Sequence, residues 1–181
     1  MEKMIGNFKE DGRLPEGFLA SLEKLQVVAM CGVSGSGKTY LSKLLEIFGF
    51  KRISSDEIIW DRYGDSFPDM PDYQKMEIFQ SSWKILTESL CRSLEEGSRV
   101  VVDATMCKLS KRNEIRSICR KHYASLGFIY MEVPFETLEK RLEGRKGLGA
   151  NDQIVGSRQL EEYFSNFERP SGECDVSRIY Q

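Results

Sequence analysis

Histidine is almost absent: His122 is the only one in 181 residues. The five cysteines, Cys31, Cys91, Cys107, Cys119 and Cys174, are odd in number and form no C-x-x-C pair. Together these shortages leave neither a familiar zinc-finger pattern nor a Ser-His-Asp triad to be expected. The cysteines read as reduced, mostly buried small residues. An excess of one charge is also missing, with 26 basic against 28 acidic side chains and a net charge of −2. That balance argues against a histone-like binder held to nucleic acid by bulk electrostatics. No apolar run approaches the roughly 20 residues that cross a bilayer, and the opening MEKMIGNFKEDGRLPEG has no apolar signal-peptide core. An intracellular, cytoplasmic protein without membrane contact is the expectation. What the chain does have is 40% hydrophobic and 10% aromatic residues, enough for a buried core in one domain.

Strand-like and helix-like stretches alternate along it. Gln26-Val27-Val28-Ala29-Met30 is a short apolar run that stops at a glycine-rich turn. Leu41, Leu44, Leu45 and Phe48 then share one helical face that ends at Gly49. Lys51–Ser54 reads as a second strand. Pro71 opens a long helix with Met76, Phe79, Trp83, Leu86 and Leu90 as its apolar positions, closed by Gly97. Three β-branched residues in Arg99-Val100-Val101-Val102-Asp103 suit a strand covered on both faces. A helix near 109–123, a strand near 128–133, helices near 135–145 and 158–167 and a strand at 176–180 complete the pattern. Parallel strands need crossovers, so the predicted fold is a three-layer α/β domain with a parallel sheet of about five strands. Residues 1–24 are expected to be an N-terminal extension, 25–181 the domain, and the glycine-rich stretch near 141–157 a lid.

The strongest motif is Gly32-Val33-Ser34-Gly35-Ser36-Gly37-Lys38-Thr39, a full G-x-x-x-x-G-K-[ST] between a strand and a helix. Such a loop turns successive N–H groups inward around phosphate oxygens, and the following helix adds the positive end of its dipole. Gly32, Ser34, Gly35, Ser36 and Gly37 are therefore candidate phosphate-cradling residues, and Lys38 a catalytic cation for the outer phosphates. ATP and Mg²⁺ are the expected cofactors, with Thr39 as a metal ligand.

Three further positions point the same way. Asp103 ends the V-V-V-D strand, where an open α/β sheet presents its ligands, and is a candidate for the metal or its bound water. Asp56, in Ser54-Ser55-Asp56, follows the second strand and is a candidate general base, with helix capping as the competing role. Arg141 and Arg145, four apart before the glycines, are candidate lid arginines on the transferring phosphoryl group. No Asn-Lys-x-Asp guanine-reading motif occurs.

These elements, with Phe167-Glu168-Arg169-Pro170 late in the chain, resemble the small P-loop kinases of the polynucleotide 5′-kinase group, over about 26–180. The resemblance implies Lys38 and Thr39 as phosphate and Mg²⁺ ligands, Asp56 as general base, and Arg141 with Arg145 as lid arginines. Two positions depart from the group's pattern. Ile59 stands where those kinases hold the acceptor's phosphate with an arginine, and Met106 where their strand signature ends in asparagine. Arg62 is the candidate substitute for the former. A stripe of Lys108, Arg112, Arg116 and Arg120 on one helix is the sequence feature that favours nucleic acid. The expected activity is transfer of the γ-phosphoryl of ATP to an alcohol, foremost a 5′-hydroxyl of RNA or DNA. A small-metabolite hydroxyl is the alternative, and a nucleotide-binding regulatory module without transfer the third.

Overall fold

The computed structural model describes residues 3–7 as backbone and residues 17–180 with their side chains. In chain order the strands are β1 (Lys3–Asn7), β2 (Val27–Cys31), β3 (Lys51–Ser54), β4 (Val100–Asp103), β5 (Leu126–Glu132) and β6 (Val176–Tyr180). The helices are α1 (Phe18–Leu22), α2 (Lys38–Ile47), α3 (Ser55–Tyr63), α4 (Asp72–Glu95), α5 (Leu109–Lys121), α6 (Phe135–Glu143) and α7 (Ser157–Ser165), with a 3-10 turn at Gly64–Asp69.

Every residue of β2 and of β4 is buried, and their side chains alternate between two cores. Val27, Ala29, Cys31, Val100 and Val102 enter one cluster with Leu86 and Leu90 of α4, Ile115 of α5, Leu138 of α6 and Leu160 of α7. Val28, Met30 and Val101 enter the other with Phe18 of α1 and Leu41 and Leu45 of α2. The two-residue period of a strand thus assigns each side chain to one of two helical layers, which gives the three-layer α/β architecture. Burying an aliphatic side chain of this size stabilises by about 1.5–3 kcal/mol, so these runs hold the sheet centre.

The sheet is parallel throughout, in the order β1-β6-β5-β2-β4-β3. The five expected strands are all present. A sixth, β1, extends the edge beside β6, and α1 buries Phe18 and Leu22 in the second core. Both come from the stretch read as an N-terminal extension, whose residues 1–2 and 8–16 lie outside the described residues. Ser54 of β3 pairs with Asp103 of β4, so both strands release the chain at one edge, beside the loop that follows β2.

The phase of α4 differs from expectation in its first half. Its buried positions are Ile78, Ser82, Leu86, Leu90, Ser93 and Leu94, whereas Met76 and Phe79 are 62% and 46% exposed. The first half of α4 packs on α3 and the 3-10 turn through a small cluster of Ile59, Phe67 and Ile78. The sheet sets the inward face only farther along.

Candidate active site

The loop after β2 enters α2 through Gly37, the helix N-cap, at φ 91°. That left-handed conformation favours glycine and lets backbone N–H groups converge at the start of the helix. Gly35 has φ +83°, and a Cβ there would meet Leu142 Cγ at 3.2 Å, so α6 closes directly on the loop. Arg141 Nη1 donates to the Gly35 carbonyl at 3.3 Å, a second tie between loop and α6. Lys38 Nζ donates to the Val33 carbonyl at 2.9 Å. Burial lowers its pKa, while the charges of Asp103 and Asp56 draw it back up.

A cleft of about 640 Å³ gathers Ser34, Gly35, Gly37, Lys38 and Thr39 with Asp56, Asp103, Arg141 and Arg145. Ser36 lies beneath the loop, its buried Oγ without a hydrogen-bond partner among the described residues and bordering a smaller cavity of about 270 Å³. Gly32 also lies below, tied by its N–H to the Thr105 carbonyl at 3.2 Å.

Asp56 is not the cap of α3. Ser54 is, its Oγ accepting from Glu57 N at 3.4 Å. Asp56 keeps a 3.4 Å hydrogen bond from Ser55 Oγ and lines the cleft. Burial raises its pKa above the ordinary carboxylate value, while Lys38 opposes the shift. A carboxylate with a raised pKa, in a cleft beside the Lys38 ammonium, is suited to accept a proton.

Asp103 is 4% exposed, and its Oδ2 collects three bonds. Ser42 Oγ donates at 2.9 Å, Arg52 Nε at 3.1 Å and Arg52 Nη2 at 2.7 Å. Arg52 also donates from Nη1 to Glu57 Oε1 at 2.6 Å, an oxygen that accepts Asn151 Nδ2 at 3.2 Å as well. A continuous polar chain therefore runs from α2 through β4, β3 and α3 to the loop after α6. Burial lowers the Arg52 pKa, but its bonds to Glu57 and Asp103 outweigh this and the guanidinium stays charged. Arg52, Ser42, Glu57 and Asn151 were not picked out from the sequence. The available signal was an arginine within a strand next to the V-V-V-D strand, too weak to act on.

Thr39 and Asp103 offer hard oxygen donors, the chemistry Mg²⁺ prefers. No cluster of three or more His, Cys, Asp or Glu side chains able to hold a metal occurs among the described residues.

The segment 144–156 is folded around Asp152, whose Oδ2 accepts Lys146 N and Leu148 N, both at 3.1 Å. Those two backbone bonds hold the Asp152 carboxyl below its usual pKa. Arg145 Nη1 donates to the Gln153 carbonyl at 3.3 Å, and burial lowers its pKa against the pull of Asp152 and Asp56. Asp152→Ala is expected to unfasten this turn. Hydrogen exchange at the amides of Lys146 and Leu148 should accelerate, and unchanged exchange would show that the glycines alone set the loop.

The basic stripe on α5 is largely neutralised by carboxylates. Lys108 pairs with Glu168 at 3.1 Å, Arg112 with Glu173 at 2.8 Å, and Arg116 with Glu173 at 2.5 Å and Asp175 at 2.7 Å. Arg112 is 1% exposed and also donates to the Met106 carbonyl. Met106 has φ 50°, a conformation asparagine also tolerates. These arginines fasten the segment before β6 to α5, and Arg120 is the stripe's exposed end. Charge reversal at Arg120 is expected to shift stability by no more than about 0.5 kcal/mol and to leave transfer rates unchanged, measured by denaturant melts and steady-state assays. Ile59 is 1% exposed in the core beneath α3, and Arg62 is exposed and does not line the cleft.

A family model described as an AAA domain, AAA_33, matches residues 27–170. Among curated proteins no match is found. Among solved structures, a gluconokinase from Sinorhizobium meliloti 1021 aligns with a TM-score of 0.60 and 20% identity, covering 85% of this chain and 81% of that one. A sugar kinase from Janibacter sp. HTCC2649 aligns with a TM-score of 0.61 and 17% identity, covering 85% and 84%. A chain of the Pnkp1/Rnl/Hen1 RNA repair complex aligns with a TM-score of 0.62 and 22% identity, covering 77% of this chain but 43% of its own length. At these identities the likeness is one of fold. No helix among the described residues is long and apolar enough to cross a membrane.

Proposed function

The chain belongs to the AAA_33 family of AAA domains, and from that premise we propose that it is a P-loop kinase that transfers the γ-phosphoryl of ATP to a hydroxyl of a small molecule. The observation that carries this is Asp56, freed from capping by Ser54 and placed in one cleft with Lys38, Arg141 and Arg145. The acceptor oxygen forms a bond to the γ-phosphorus, the bridging bond to the β-phosphate oxygen breaks, and ADP leaves. The acceptor proton passes to Asp56. Lys38 and the loop N–H groups hold the phosphates, and Arg145 offsets charge on the transferring group. Thr39 and Asp103 would hold Mg²⁺, which when bound neutralises phosphate charge. The segment 144–156, hinged at Arg141 and Arg145, would close over the nucleotide and exclude water.

A nucleic-acid 5′-end is the second reading, favoured by the resemblance to polynucleotide kinases. The small-molecule reading is better supported, because the expected acceptor arginine is replaced by buried Ile59 and the stripe is spent on Glu168, Glu173 and Asp175. Incubation with γ-labelled ATP·Mg²⁺, a pool of small alcohols and 5′-hydroxyl oligonucleotides tests it. Label is expected among the small molecules, and label on the oligonucleotides alone would reverse the order of the two readings.

A further inference from the structure

We infer that the acceptor is an uncharged alcohol with an apolar, planar body, seated between Phe67 and Phe79 on one wall and Ile154 and Tyr163 on the other. This rests on the kinase reading above and narrows it to a substrate class.

Phe79 is 46% exposed in the first half of α4. A single exposed aromatic needs no explanation, but Phe79 lines the cleft and meets Phe67 edge to face, with centroids 5.5 Å apart and planes at 81°. Half-exposed in the cleft, the Phe79 ring can take a further apolar ring against it. Ile154, 65% exposed, also lines the cleft and is carried by the segment after α6. A Cβ on Gly147 would lie 3.5 Å from Ile154 Cδ1, so this side chain rests on the turn fastened by Asp152. Tyr163 of α7 completes the wall near the base: burial raises its pKa, and the charge of Asp56 adds to the shift.

The charges on this side fit the same occupant. Lys75 Nζ donates to the Pro68 carbonyl at 2.8 Å, and Lys108 is paired with Glu168 at 3.1 Å. The Asp56 carboxylate repels an anion brought close to the reacting hydroxyl, whereas Asp103 is paired with Arg52. An apolar ring loses little water on entering and covers Phe79 and Ile154.

The test compares 2-phenylethanol, gluconate and a 5′-hydroxyl oligonucleotide as acceptors, with γ-labelled ATP·Mg²⁺ and the full chain. The aryl alcohol is expected to have a kcat/KM at least about tenfold above the other two. Phe79→Ala, a half-exposed site whose loss leaves the core intact, should raise its KM about tenfold while changing kcat far less, and Phe79→Tyr should restore it. A preference for gluconate or the oligonucleotide, or an unchanged KM in Phe79→Ala, would overturn the inference and leave phosphoryl transfer standing. Label released only as inorganic phosphate with all three would overturn the kinase reading, and this inference with it.

Discussion

Asp56→Asn is expected to cut phosphoryl transfer by roughly 10²–10⁴ and, at neutral pH, to raise the melting temperature. Both effects come from one cause. Burial lifts the Asp56 pKa above its ordinary 3.8, so the charged carboxylate is disfavoured in the folded protein. A carboxyl whose folded pKa exceeds its unfolded one contributes stability at low pH and loses it as pH rises through the folded pKa. At neutral pH the ionised group is therefore a cost, which asparagine removes while keeping size and shape. The α3 cap is untouched, because Ser54 makes it. ATP affinity should stay near wild type, since in the proposed mechanism the loop and Lys38, not Asp56, hold the phosphates. The acid limb of kcat/KM should lie above the usual aspartate range in the wild type and vanish in the variant. A pH–rate profile beside thermal melts checks both halves; a variant that melts lower and turns over normally would reduce Asp56 to a structural residue.

Arg52→Met is expected to destabilise the fold by about 3–5 kcal/mol, the usual consequence of leaving a buried charge without its partner. The Arg52 side chain is 3% exposed and that of Asp103 is 4% exposed, so water cannot take over. Glu57 is 41% exposed and adds less, since solvent screens it. Arg52→Lys should recover only part of the loss, because one ammonium cannot serve Asp103 through Nε and Nη2 and Glu57 through Nη1 together. Urea unfolding measures the stability change. The surviving enzyme should also need more Mg²⁺ for half-maximal rate, as Asp103 loses the group that fixes its Oδ2. An Mg²⁺ requirement that does not move would confine Arg52 to a folding role.

What the sequence reveals depends on whether an element is specified locally. The phosphate loop is, because glycine spacing, strand and helix occupy one short stretch, and Lys51–Ser54 and Val176–Tyr180 are found at their expected bounds. Arg52 is not, because only the parallel pairing of β3 with β4 shows that a cation inside a strand meets Asp103. The first half of α4 misled for a related reason. Met76 and Phe79 fit an apolar face, yet the partner that decides that face is the Ile59 and Phe67 cluster rather than the sheet. The α5 stripe looked like a docking face because its carboxylate partners stand more than fifty residues farther along the chain. The segments that form β1 and α1 span five residues each, too short for periodicity to register.

Transfer itself is tested most directly by following the label of γ-labelled ATP·Mg²⁺ through a single turnover with a saturating small-molecule alcohol, for the wild type, Lys38→Ala and Asp56→Asn. The expected result is a labelled phosphate ester formed together with ADP by the wild type, none by Lys38→Ala, and slow formation from tightly bound ATP by Asp56→Asn. Label that reaches only water in the wild type, or ester formation that survives Lys38→Ala, would contradict it.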